Sequence, residues 1–144
     1  MSVAAIVLDN EAVQGLLEAH HPKHRRVVAL LTETNRRNLA RAGRVTIIVP
    51  TAVRVEAGWD RTDPAGANAN RLARPRDHVL DTAAADRATQ LRAAANVSGV
   101  DACVAQAAET APRPVVVVVT SDAPDMLHLG SFLADSTQVR VLAI

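Results

Sequence analysis

The sequence predicts an α/β fold, a mostly parallel central sheet flanked by helices, and three observations carry that expectation. Short apolar runs rich in β-branched residues recur at Val3–Leu8, Val45–Val49, Val115–Val119 and Val139–Ala143. Between them lie segments with apolar residues at helical spacing. Turn punctuation such as Asp63-Pro64-Ala65-Gly66 and Ser98-Gly99 separates the pieces. Strands that alternate with helices in this way build a parallel sheet with helices packed on it. At 144 residues, nearly half of them apolar, the chain is long enough to bury a core as one domain spanning 1–144. Trp59 and Phe132 are its only aromatics, so that core must pack from Ala, Val and Leu.

The elements follow in order. Val3–Leu8 reads as a buried first strand with Asp9 at its carboxyl end. Glu11–Ala19 has Ala12, Leu16 and Ala19 at helical spacing, with Asn10 placed to cap it. Pro22 suits the first turn of a second helix, whose stripe includes Val27, Leu30, Leu31 and Leu39 and which Gly43 would stop. Val45–Val49 is the second strand, and Pro50-Thr51 opens a third helix carrying Val53, Val55, Glu56 and Trp59. Asn68–Arg74 reads as a short helix, His78–Leu80 as a short strand and Ala83–Ala95 as a helix ended by Ser98-Gly99. Asp101–Thr110 is a helix with its carboxylate in the first turn. The five valines Val115–Val119 form the clearest strand, ended by Thr120-Ser121-Asp122. Pro124 starts a helix through Leu133, and Val139–Ala143 closes the sheet.

Composition excludes several classes. The single cysteine, Cys103, rules out an internal disulfide or a cysteine-based zinc site, and its apolar neighbours mark it as a buried small hydrophobe. No apolar run approaches the roughly 20 residues that span a bilayer. The start lacks the basic segment of a signal peptide, so a cytoplasmic protein is the simplest reading. Net charge is only +1, but Lys23, Arg25, Arg26, Arg36, Arg37, Arg41 and Arg44 gather between His20 and Arg44 against Glu33 alone.

Sites in parallel α/β sheets form beyond the carboxyl ends of the strands. Asp9 and Asp122 leave strands there, Asp101 begins a helix, and Glu56 lies about two turns into the helix after the second strand. An all-oxygen cluster without cysteine suits a hard divalent ion such as Mg²⁺ or Mn²⁺, which neutralises like charges that otherwise repel. Such ions support hydrolysis of phosphodiesters. Acids at strand ends are also common without any such role, and residue placement alone leaves both readings open.

Four segments bear on the choice: Ile6-Val7-Leu8-Asp9, Val49-Pro50-Thr51-Ala52-Val53-Arg54-Val55-Glu56, Gly99-Val100-Asp101-Ala102-Cys103-Val104-Ala105 and Val119-Thr120-Ser121-Asp122-Ala123-Pro124-Asp125-Met126. In order and spacing they resemble the successive signatures of PIN domains, most closely the VapC-type toxins of bacterial toxin–antitoxin pairs. The resemblance runs over essentially the whole chain. It implies a single PIN-like domain in which Asp9, Glu56, Asp101 and Asp122 are the metal-binding acidic quartet of an endoribonuclease, with Asp125 as a further acid. It also implies Mg²⁺ or Mn²⁺ as cofactor, RNA as substrate, a small antitoxin protein as inhibitor, and a homodimer. Thr or Ser commonly follows the first Asp in that family; here Asn10 stands there, an amide still able to hold a water beside the site. Thr120 and Ser121 fall among the residues expected around the ligands.

Other readings compete at each position. Asp101 and Asp125 also suit helix starts electrostatically. Glu56 is the most diagnostic, because it sits between Val55 and Ala57 on a largely apolar helix. His20 and His24 have metal-ligand spacing, yet no Glu completes the motif and their neighbours are basic, so a solvated face or a phosphate contact is expected. The Arg25-Arg26 and Arg36-Arg37 pairs are solvated helix surface by default, or RNA-backbone contacts if a nuclease site lies near. Trp59 suits the core or a partner contact better than base stacking. A catalytically silent PIN domain serving as a binding or regulatory module is the main alternative, disfavoured by the intact quartet. An aspartate phosphotransfer enzyme fits Asp9-Asn10-Glu11 poorly, since it wants a second Asp where Glu11 stands.

Overall fold

The computed structural model describes residues 2–40, 44–134 and 138–144. Within them, five strands form one sheet: β1 (Val3–Leu8), β2 (Thr46–Pro50), β3 (Arg76–His78), β4 (Val115–Thr120) and β5 (Val139–Ala143). Every neighbouring pair is parallel, in the order β3-β2-β1-β4-β5. The chain moves outward from β1 to β3, then crosses back to lay β4 on the other side of β1. The helices are α1 (Asn10–Leu17), α2 (His24–Ala40), α3 (Thr51–Ala57), α4 (Ala67–Ala73), α5 (Thr82–Ala95), α6 (Gly99–Thr110) and α7 (Ala123–Gly130), with a 3₁₀ turn at Pro64–Gly66.

The expected α/β class is the observed one, and the β-branched runs explain why. Strands buried on both faces need apolar residues at successive positions rather than alternation. Four of the six β1 residues and five of the six β4 residues are buried. Val7, Leu8, Val116 and Val118 meet Val13 and Leu31 from α1 and α2, and Val104, Leu91 and Leu129 from α6, α5 and α7, in one contiguous core. Small residues let these layers approach closely; α6 buries seven consecutive residues from Ala102 to Ala108.

Several boundaries differ from expectation, each for a local reason. Asp9, not Asn10, caps α1: its Oδ1 accepts from the Ala12 N–H at 2.8 Å. That helix ends at Leu17, short of Ala19. Pro22 precedes α2 rather than entering it, and Leu39, assigned to the apolar stripe, is 87 % exposed, while Val27 and Leu31 are buried. Gly43, the expected stop, lies outside the described residues. Trp59 is core but not part of α3, because Gly58 ends that helix in the left-handed region (φ 74°), where a side chain is disfavoured. The indole then donates to Asn70 Oδ1 at 3.0 Å. β3 begins at Arg76, two residues before the expected His78, leaving Val79 and Leu80 exposed. α7 ends at Gly130, before Leu133.

Candidate active site

β1 and β4 are adjacent, with Leu8 opposite Val119, yet the chain leaves them toward different helices. The carboxyl ends of two such strands bound the crevice where α/β sheets bind ligands. Asp9 follows β1 directly, and Asp122 follows β4 after Thr120 and Ser121.

Asp9 is the most constrained acid. It is 4 % exposed, and its backbone N–H donates to Val119 O at 3.1 Å, extending the ladder by one bond. Its Oδ1 takes the α1 cap bond, and its Oδ2 accepts from the Ser121 N–H at 3.2 Å. The Thr120 hydroxyl also donates to this carboxylate. Burial raises the Asp9 pKa; these donors pull it back, and nearby Glu11 pushes it up again. Each carboxylate oxygen has more than one lone pair, so the bonds fix the group without exhausting it.

Thr120, wholly buried, links the acids: its Oγ1 accepts from the Asp122 N–H at 2.9 Å while its hydroxyl serves Asp9. Asp122 caps α7, with Oδ1 accepting from the Asp125 N–H at 3.4 Å. Asp125 has its pKa raised, chiefly because its carboxyl hydrogen-bonds that of Asp122 and feels its charge, with His128 acting the other way. Across the crevice, Ser98 caps α6 by accepting from the Asp101 N–H at 3.1 Å. The Asp101 pKa is raised first by burial, then by the charges of Asp122, Asp9 and Asp125, against a hydrogen bond from Ser98.

Carboxylate oxygens of Asp101, Asp122 and Asp125 lie within 4.8 Å of one another. These three acids come from two helix starts separated by β4. Oxygens at that spacing match the donor set of a hard divalent cation. Next in sequence to Asp9, Asn10 has a buried Oδ1 with no hydrogen-bond partner. The residues present fit a hard divalent cation.

Glu56 is placed differently. It is exposed in the last turn of α3, and among the described residues it is not in the group whose oxygens share one spot. Its helix packs against both α1 and α6, whose starts carry Asp9 and Asp101. The basic residues are also divided. Arg36 and Arg37 are held on Glu33, at 2.7 and 3.0 Å, and their hydrogen bonds drive its pKa down to about 2. Arg25 and Arg26 are exposed in the first turn of α2. The His24 ring, expected on a solvated or phosphate-contacting face, bonds the Gly15 carbonyl at 2.8 Å instead. Cys103 is buried, which raises its thiol pKa, as a core residue requires. Sequence reasoning missed Ser98 as the cap that seats Asp101, although Ser three residues before Asp is a recognisable helix-start signal.

No protein-family profile matches the chain, and no curated protein matches it. Among solved structures it is similar to a chain of VapBC2 from Rickettsia felis, whose crystal structure is bound to a DNA fragment from their promoter. The alignment covers 97 % of this chain and 98 % of that one, with a TM-score of 0.55 and 14 % sequence identity. The likeness is one of fold: an α/β domain with a five-stranded parallel sheet, as expected of a PIN-like domain. Among the described residues, no helix is long and apolar enough to cross a membrane.

Proposed function

We propose that this chain is a metal-dependent endoribonuclease of the PIN type, acting as the VapC-like toxin of a toxin–antitoxin pair. The observation that carries the reading is the meeting of Asp101, Asp122 and Asp125 beside buried Asp9, at the carboxyl ends of β1 and β4. The fold shared with a VapBC2 chain supports it.

Asp101, Asp122 and Asp125, with Asp9 beside them, would hold a divalent cation, which would supply charge neutralisation at the phosphodiester and activation of a water. The chain's own residues then have distinct tasks. Asp9, fixed by Ala12, Ser121 and Thr120, is the rigid member of the set. Thr120 transmits that rigidity to Asp122, and the α6 cap seats Asp101 opposite. Asn10 offers its unpartnered Oδ1 to water or RNA hydroxyl. Glu56 completes the quartet from α3 once substrate is bound, and Arg25, Arg26, Arg36 and Arg37 contact the RNA backbone. A small antitoxin protein is the partner, with a homodimer as the working unit in the cytoplasm.

The test is cleavage of structured RNAs by the purified protein in Mg²⁺ or Mn²⁺, with EDTA as control. Asp9→Asn, Asp101→Asn and Glu56→Gln should each abolish EDTA-sensitive cleavage while far-UV circular dichroism stays unchanged. Wild-type activity in either aspartate variant sinks the site assignment, and wild-type activity in Glu56→Gln removes that residue alone. Finding a neighbouring open reading frame for a small DNA-binding protein would support the toxin role.

A further inference from the structure

At the opposite end of the sheet from the acids, the start of β2 lies between α2 and α4, and the three enclose a cavity of about 300 Å³. Its walls carry Arg44, Arg71 and Arg74, with Asn35 and Asn38, and no acidic residue lines it. The asparagines are committed to the walls. Asn35 Nδ2 donates to Leu72 O at 2.7 Å, and Asn38 pairs with the N–H and carbonyl of Val45 at 2.8 and 3.1 Å. The arginines are not so committed. Arg71 bonds only Asn68 Oδ1, and among the described residues the guanidiniums of Arg44 and Arg74 have no hydrogen-bond or ion-pair partner.

Arg36 and Arg37, one turn away on α2, show the ordinary fate of surface arginines in this chain: both are neutralised by Glu33. Three guanidiniums gathered at one cavity without a carboxylate repel one another, and an anion relieves that repulsion. Arg74 adds a second sign. It ends α4 in the left-handed region, φ 40°, where Gly or Asn is the low-strain choice. The chain accepts that strain and places a guanidinium at the cavity wall.

We propose that this cavity is a binding site for a phosphate-bearing ligand, held by Arg44, Arg71 and Arg74 at the amino-terminal end of the sheet. Its size admits a phosphate or a mononucleotide and excludes a duplex. Guanidinium forks suit phosphate oxygens, with which they form paired, charge-assisted hydrogen bonds. Two sources offer this chemistry: a free phosphorylated small molecule, or a single phosphate of a nucleic-acid strand. The proposal does not depend on the nuclease reading, since it concerns the far end of the sheet.

The experiment uses the whole chain in EDTA, titrated with inorganic pyrophosphate by calorimetry and with a short labelled oligoribonucleotide by anisotropy. Arg74→Gly relieves the left-handed strain, so it should fold with an unchanged or higher melting temperature. Arg71→Gln is the second variant, and Arg92→Gln, exposed on α5 and not lining the cavity, the control. Each of the first two should weaken ligand binding about tenfold or more, the loss expected for one charge-assisted contact, while Arg92→Gln leaves the affinity for both probes unchanged. Weakening for pyrophosphate alone assigns a small phosphorylated ligand. Weakening for the oligonucleotide, with a salt slope reduced by about 0.7 per lost contact, assigns a strand phosphate. Wild-type affinity for both probes in Arg74→Gly and Arg71→Gln, or no measurable binding of either probe to wild type, overturns the proposal.

Discussion

Replacing Asp101 by Asn should make the cation-free protein more stable, although it should abolish the proposed RNA cleavage. Oxygens of Asp101, Asp122 and Asp125 lie within 4.8 Å of one another. Two unit charges at 4.8 Å repel by about 0.9 kcal/mol at the dielectric of water and about 3.5 kcal/mol at the value typical of protein surfaces. Asp101 is only partly buried, so the lower half of that range applies. Against it stands the favourable effect of a negative charge in the first turn of α6, about 0.3–1 kcal/mol, which Asn loses. Asn keeps an oxygen for the bond from Ser98, so the remaining geometry survives. The net gain is about 1 kcal/mol, or about 3 °C in melting temperature for a chain of this size. Thermal melts in EDTA and in Mg²⁺, for both proteins, decide it. Mg²⁺ should raise wild type more than the variant, because only the full site binds the ion tightly in the native state. A lower melting temperature for Asp101→Asn in EDTA would refute the argument and make Asp101 chiefly a helix-start residue.

Asp9→Asn should go the other way and melt lower than wild type in EDTA. Its two oxygens accept from Ala12, Ser121 and Thr120, and an amide leaves a buried donor facing another, at a cost of about 1–2 kcal/mol; a higher melting temperature would show that relief of the buried charge dominates. In EDTA, stability at this site should rise as pH falls from neutral through the raised folded pKa values of Asp9, Asp101 and Asp125, before the ordinary carboxylate range is reached. The native state then binds protons that the unfolded chain does not, so the cost of burial and of like charge is present above those pKa values and vanishes below them. Glu33 and Glu109, with lowered values, lose their contribution only at lower pH still. A melting temperature that falls steadily over that window contradicts the assignment. Glu109→Ala should cost about 1–2 kcal/mol, since the carboxylate takes two bonds from Arg87 at 2.9 Å and one from the Ala134 N–H, tying α5 and α6 to the segment after α7; a change below about 0.5 kcal/mol in a chemical melt would place it with ordinary surface pairs.

The sheet was legible because buried parallel strands need unbroken apolar runs, and β1 and β5 match the sequence-based boundaries to the residue. The acids after β1 and β4 were legible for the same reason, since a strand's end fixes where its next residue lies. What was not legible depends on tertiary packing. Leu39 fits the apolar spacing of α2, but the α4 contact that covers other parts of that helix leaves it in solvent. Glu56 was expected beside the other acids from its motif position, yet α3 is only two turns long and the exposure of its last turn depends on how it leans between α1 and α6. The uncommitted arginines at the β2 cavity were invisible, because Arg44 joins Arg71 and Arg74 only when β2 packs beside α4.

Two acids that look alike in sequence carry opposite energetic burdens. Asp9 sits where the β1–β4 ladder and the α1 start aim three donors at one carboxylate, so the fold itself offsets part of the cost of burying it. Asp101 has only Ser98 to set against three other acids. The part of the site built by backbone geometry is therefore better compensated than the part built by apposition of α6 and α7. On the proposed reading, Asp101, Asp122 and Asp125 would hold a divalent cation, whose charge would supply the compensation they lack. That difference is why the two Asn substitutions are expected to shift stability in opposite directions, although both should abolish the proposed RNA cleavage.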